Sequence, residues 1–272
     1  MVVQHNMQAV NTNRMLGQNV KAVAKATEKL SSGYAVNRAA DDAAGLSISE
    51  KMRNQIRGIN QAVKNSEDGV SLIQTAEGNM NEIHSILQRM GELATKAAND
   101  VNASEDRTAI ADEMNELRDE INSIASKAAF NGTKLLTGSF TSKYLQVGAN
   151  KGENMKVSIS SMTATKLGLQ KADIKVSTHA LASSAMAKIS TAIKTVSAAR
   201  SKLGAIQNRL DYTINNLNNY SENLTSAESQ IRDTDMASEM TNYTKNNILQ
   251  QAAQSMLAQA NQSTQGVLSL LG

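Results

Sequence analysis

No proline interrupts any of the 272 residues. Proline removes a backbone donor and clashes with the preceding helical turn, and at its usual frequency of about 5% a chain this long would hold roughly a dozen. Its absence lets helices run well past ordinary length. The apolar residues therefore have to be tested for a helical period.

They have one. Alternating steps of four and three from Met52 reach Ile56, Ile59, Val63, Ser66, Val70, Ile73, Glu77, Met80, His84, Leu87, Gly91 and Ala94, and nine of these thirteen positions are apolar, as in a heptad seam. A second strip, Ile83, Ile86, Met90 and Leu93, widens the apolar face, so this helix is expected to meet more than one partner. Another helical pattern runs from about Ser104 to Ala129, with Ser104, Glu105 and Asp106 supplying a cap oxygen and acids at its start. A further seam runs from Ala185 through Ile189, Val196, Leu203, Leu210, Leu217 and Leu224 to Ile231, broken only at Thr213. At 1.5 Å per residue it predicts a rod of roughly 70 Å. Aromatic residues are 3% of the chain, so small and aliphatic side chains must fill the core, which favours closely approaching helices.

Between the helical arms the pattern changes. Phe130-Asn131-Gly132-Thr133-Lys134 offers a turn, and glycines recur at 132, 138, 148, 152 and 168. Tyr144-Leu145-Gln146-Val147 and Met155-Lys156-Val157-Ser158-Ile159 alternate polar and apolar around a loop at Gly148–Gly152, which predicts a β-hairpin. The expected fold is mainly α: a long antiparallel helical bundle or coiled coil, with a small β-hairpin region in the middle at about 137–178.

The ends differ again. Leu16, Val20, Val23, Thr27 and Leu30 form one seam; Leu249, Ala253, Met256, Ala260, Ser263, Val267 and Leu270 form another. From Asn246 to Gly272 no residue is charged, while Asn and Gln are abundant. A solvated helix normally carries charge on its outer face, so this segment suits a helix surrounded by other protein. Alone, each end offers too little partner surface to offset its ordering entropy. The ends are expected to fold together when many copies assemble, with Leu16, Val20, Val23 and Leu30 set against Leu249, Met256, Val267 and Leu270.

Several classes of function lack their residues. No cysteine is present, and His5, His84 and His179 lie far apart with no His-Glu-x-x-His. There is no phosphate-binding glycine loop, and the adjacent acids Asp41-Asp42 and Glu67-Asp68 face different directions on a helix, so they read as capping or solvated groups. No catalytic, cofactor or metal site is expected, and the chain reads as no enzyme. The 28 basic and 25 acidic residues leave a net charge of +3. The basic residues look scattered, without aromatic interleaving, which argues against nucleic acid as partner. No apolar run approaches the ~18 residues of a membrane span. The N-terminal residues lack the basic start and apolar centre of a secretory leader, so any export is expected to leave the N-terminus uncleaved.

The run from Leu30 to Ile48, with Ser31-Ser32-Gly33, Asn37-Arg38, Asp41-Asp42 and Gly45-Leu46, strongly resembles the N-terminal signature of bacterial flagellin. Gln61 to Leu72, Phe130-Asn131-Gly132 and the ending Val267 to Gly272 match the same family in order, and the resemblance covers about 1–140 and 180–272. Tyr34-Ala35-Val36 departs from the more basic version common there, at a local linker. The resemblance implies a helical homopolymer, the flagellar filament used for swimming. It implies an inner filament-core domain from 1–44 with 232–272, and an outer helical domain over 45–231, in a short form without large inserts. It further implies type III export, an export chaperone on the C-terminal segment at about 232–272, and hook-associated junction and cap proteins as partners. Flagellins read by Toll-like receptor 5 share a segment matched here by Gln88, Arg89, Glu92 and Leu93, with an acid on the next helix matched by Glu120. Alternatives are a hook–filament junction protein with similar arms and a coiled-coil adaptor unrelated to flagella.

Overall fold

The computed structural model describes residues 6–271, with side chains through 263. Its elements are α1 (Met7–Ser32), α2 (Ala43–Ala97), α3 (Ser104–Lys127), β1 (Ala129–Phe130), β2 (Thr133–Lys134), β3 (Lys143–Gln146), β4 (Asn154–Val157), α4 (His179–Arg232) and α5 (Met236–Leu271). The fold is mainly helical, with the long helices packed antiparallel and small two-stranded sheets in the middle of the chain. It divides into a terminal unit, residues 1–56 with 222–272, and a middle unit, residues 57–221.

In the middle unit, α2 and α4 pack side by side in opposite directions. Asn60 receives a hydrogen bond from Ser221, Glu77 pairs with Arg200 at 3.5 Å, and Gly91 lies opposite Ile189, so one index falls as the other rises. The traced seams are the buried ones: Ile73, Met80, Leu87 and Ala94 from α2, and Ile189, Val196, Leu203 and Leu210 from α4. The second strip of α2, with Ile83, Met90 and Leu93 buried, joins the same core as Ile110, Met114 and Ile121 of α3. Alanines 76, 94, 97, 125, 182, 185 and 192 are all buried, which lets the helices approach closely around a core that lacks large aromatics.

The start of α3 departs from the expected cap. The carboxylate of Asp106 accepts from the Ala103 N–H at 3.2 Å, while Ser104 is already the first residue of the helix and its backbone carbonyl accepts from the Thr108 hydroxyl. Arg107 ties the α2–α3 loop to the segment before α4, donating to the Asn99 carbonyl, Asp100 and the Ser177 carbonyl.

Both turns form where the glycines lie. Asn131 and Gly132 have φ of 45° and 74°, the pair of positive values that a tight two-residue hairpin requires, and they join β1 to β2. β3 and β4 pair antiparallel, Leu145 opposite Met155. This hairpin lies on α2, where glycine makes room for it. A Cβ at Gly69 would collide with Leu145, and one at Gly58 would come within 2.9 Å of the Ala149 Cβ. Asn65 completes the attachment by donating to the Gln146 carbonyl at 3.2 Å. From Ser158 to Thr178 the chain has no strand, yet Ile159, Met162, Ala164, Leu167, Leu169, Ile174 and Val176 are buried. Asn122 of α3 anchors this segment by accepting from the Ala164 N–H at 2.9 Å.

Candidate functional site

The terminal unit has a different texture. Its buried apolar side chains among the described residues are Ala26, Val36, Ala253 and Ala260, all small. Ten of the fifteen large apolar side chains left exposed belong to it, among them Met7, Val10, Met15, Val20, Met240, Ile248, Leu249 and Met256. Apolar surface kept in water costs about 25 cal/mol per Å², and a row of such residues on paired helices marks an interaction surface.

α1 and α5 pack against each other. On α1 the sheltered positions recur in steps of three and four, Ala9, Thr12, Leu16, Asn19, Val23, Ala26 and Leu30; on α5 they are Tyr243, Asn246, Gln250, Ala253, Leu257 and Ala260. Asn6 ties the pair by donating to the Ala260 carbonyl at 2.9 Å. Leu16, Val23 and Leu30 thus line the sheltered face of α1. Val20, Leu249 and Met256 stand on the open faces, 43%, 42% and 62% exposed. The side chains of Val267 and Leu270 lie outside the described residues. The uncharged segment reaches its partner through Asn, Gln, Ala and Leu257, while Ile248, Leu249 and Met256 stand exposed.

Where the chain enters and leaves this helical pair, the two connections are locked together. Gly33 closes α1 with φ of 76°, Tyr34 pairs with Asp233 as an antiparallel bridge, and the Ala35 N–H donates to the Arg232 carbonyl at 2.7 Å. The Arg232 guanidinium sits 4.7 Å from the centre of the Tyr34 ring and donates to Glu50 at 2.6 Å and to the Ser49 hydroxyl at 3.2 Å. Tyr34, in the Tyr34-Ala35-Val36 linker, is thus the platform for Arg232. Beside it, Lys25 pairs with Asp41 at 2.8 Å and Glu28 with Arg38 at 2.8 Å, while Asp42 caps α2 by accepting from the Gly45 N–H at 2.9 Å.

These pairings set a pH response. The hydrogen bond from Lys25, helped by the Arg38 N–H, holds the Asp41 carboxyl below its ordinary value, and Lys25 is raised in return. Glu153 is lowered by Asn150, and Asp173 by Lys188. Carboxyls lowered in the native state stabilise it above their unfolded pKa near 4, and that contribution is lost as pH falls through the native values. For Lys25 the contribution is present below its unfolded pKa of about 10.4 and is lost as pH rises through the native value. Melting followed by circular dichroism is therefore expected to be flat near neutrality and to decline below about pH 4. Asp41→Asn should reduce that decline; an unchanged acid limb would show that the linker pair contributes nothing.

The second predicted surface lies on the middle unit. Arg89 donates from Nε and Nη2 to Glu113 at 3.2 and 3.0 Å, and from Nη1 to Glu92 at 3.2 Å. Gln88 is exposed, its amide nitrogen 3.2 Å from a ring nitrogen of His84. Glu120 is exposed and has no ion-pair partner among the described residues. Leu93, expected as an apolar contact on this surface, is 3% exposed and belongs to the core. Its side chain faces the core while Arg89 and Glu92 on the same turn face outward, so it can only position its neighbours. Glu113 was missed; it lies seven residues before Glu120 on one stripe of α3, and only the antiparallel offset of α2 and α3 selects it for Arg89.

Comparison with known proteins decides between the readings. The pattern described as the bacterial flagellin N-terminal helical region matches residues 3–141, and that of the flagellin C-terminal helical region matches 186–271. A flagellin of Halalkalibacterium halodurans is 52% identical across the whole of both chains. The chain belongs to the bacterial flagellin family. This flagellin is also 47% identical to the flagellin of Bacillus subtilis and 46% to the flagellar filament 30.7 kDa core protein of Treponema maltophilum, over all of each chain. It is a structural, non-enzymatic subunit of the extracellular flagellar filament. The crystal structure of Bacillus cereus flagellin superposes with a TM-score of 0.51 at 30% identity, covering 57% of this chain and 88% of that one. A putative flagellar hook-associated protein from Vibrio parahaemolyticus gives a TM-score of 0.61 over 71% of this chain and 100% of that one, at 17% identity. That likeness is one of fold alone. The adaptor alternative falls with the family assignment. No helix among the described residues is long and apolar enough to cross a membrane.

Proposed function

We propose that this flagellin polymerises by burying the open faces of α1 and α5 between subunits, so that residues 1–44 and 232–272 form the filament core and 45–231 the outer domain. The observation that carries this is the row of exposed apolar residues on a unit whose own buried apolar residues are small. Two helices with a thin seam gain little from each other. Neighbouring copies supply the missing core, which explains a C-terminal segment without charge. Leu249→Asp combined with Met256→Asp places two charges on the open face of α5 without touching its sheltered face. Elongation from filament fragments is expected to stop, with helicity of the free chain unchanged. Normal filaments by electron microscopy would remove these residues from the contact. The same surface is what an export chaperone would cover over 232–272, and what junction and cap proteins would engage at the filament ends. Export without a cleaved leader belongs to this reading, supported by membership of the family.

The free subunit is further proposed to be recognised by Toll-like receptor 5 through Gln88, Arg89, Glu92 and Glu120, with Glu113 orienting the guanidinium. Support comes from their exposure on helices held rigid by the middle core. Arg89→Ala removes a planar multi-donor head of the kind that anchors interfaces, so a receptor-reporter response should fall by at least about tenfold. The melting temperature should barely change, because exposed ion pairs contribute only about 0–1 kcal/mol. An undiminished response would exclude Arg89 from the contact.

A further inference from the structure

Counted along the sequence the lysines look dispersed; counted by element they are not. Residues 129–202 hold eleven basic residues against two acids, and α3 holds seven acids against three bases. Glu105, Asp112 and Glu116 lie on the side of α3 opposite its core residues Ile110, Met114 and Ile121, and Glu120 lies on the adjoining flank. All four are exposed and lack an ion-pair partner among the described residues. On α4, Lys194 and Lys202 are likewise exposed and unpaired. They flank a shallow groove of about 350 Å³ lined also by Ser160, Met162, Thr191, Thr195 and Ala198.

The two surfaces match in spacing. Lys194 and Lys202 are eight residues apart on one helix, as are Asp112 and Glu120 on the other, about 12 Å in each case. Glu116 falls between Asp112 and Glu120, and the groove offers it the Ser160 hydroxyl, since those of Thr191 and Thr195 already donate to the Ala187 and Thr191 carbonyls. We propose that the acidic outer face of α3 docks into the lysine-flanked groove of α4 on a neighbouring copy of this chain, Asp112 and Glu120 meeting the two lysines and Glu116 the Ser160 hydroxyl.

A second copy is favoured over an outside polyanion because every chain carries both faces at the same spacing. Two different, complementary faces on one chain form a head-to-tail contact, which propagates into an open helical polymer instead of closing as a symmetric dimer. The contact rests on the polymerisation reading and adds its lateral chemistry. Exposed charges of this kind set encounter rate and register more than raw affinity.

The test is seeded elongation of the purified full chain, followed by light scattering. Lys194→Glu with Lys202→Glu should slow elongation about tenfold, as should Asp112→Lys with Glu120→Lys, and the four changes together should restore most of the rate. Lys194→Arg with Lys202→Arg should elongate normally. Circular dichroism of each free variant separates loss of contact from loss of folding. Wild-type elongation by either reversed pair, or no recovery in the fourfold variant, would overturn the contact. So would loss of heparin binding in the lysine-reversed chain with its elongation unchanged, which would assign the groove to an anionic polysaccharide. Failure of the wild-type chain itself to elongate would instead strike the polymerisation reading.

Discussion

Deleting residues 246–272 is expected to abolish filament formation while leaving the middle unit folded. The reason is where the core lies. The main cluster of buried side chains, from Leu72 to Leu210, falls entirely within residues 57–221, so it loses no partner when the end of α5 is removed. The terminal unit loses Gln250, Ala253, Leu257 and Ala260, which form much of the α5 side of its seam, together with the exposed Ile248, Leu249 and Met256. What remains of α1 is a single amphipathic helix, and an isolated helix is marginal in water. The truncated chain should keep a cooperative melting transition by circular dichroism, and a protease-resistant fragment close to 57–221. Electron microscopy after seeding should show no elongation. Normal filaments from this truncation would contradict the proposed role of α5.

Leu87→Ala should have the opposite profile. Leu87 is fully buried among α2, α3 and α4, and removing three carbons from such a site costs about 2–5 kcal/mol, transfer and cavity combined. In a unit of this size that corresponds to a melting temperature lowered by roughly 5–15 °C. Elongation well below the transition should be nearly normal, because the changed atom faces no neighbouring subunit. The pair of results would separate the residues that hold the subunit together from those that hold subunits to each other. Equal sensitivity of melting to Leu87→Ala and to Leu249→Asp would show that the division is wrong.

The long helices were legible because their signal is redundant. Ile189, Val196, Leu203 and Leu210 repeat one spacing over many turns with no proline to interrupt it, and one misplaced residue such as Thr213 cannot disguise the period. The Asn131-Gly132 turn was legible for another reason: few residue pairs tolerate two successive positive φ values. The segment from Ser158 to Thr178 was poorly legible. Its buried residues follow no single period, since the chain is held by scattered bonds such as Ala164 to Asn122 and by packing on α3 and α4.

The candidate surfaces were legible in part. An uncharged, amide-rich end marks burial against protein, but α5 presents two interleaved stripes, one through Leu249 and Met256 and one through Gln250 and Leu257, and both include Ala253 and Ala260. A three-four repeat is compatible with either. At the second surface, the sequence motif names Arg89 and Leu93 together, although one points to solvent and the other into the core.

By itself the sequence determined the helical arms, the hairpin turns, the family and the lack of charge at the C-terminal end, because each rests on local spacing, on backbone sterics or on composition. Only the tertiary structure decided which face of α5 shelters against α1, that Glu113 holds Arg89, that Arg232 stacks on Tyr34, and that unpaired acids and lysines occupy matched ridges on different helices. Those outcomes depend on the rotation and offset of one helix against another, and residues distant in sequence leave no local trace of them.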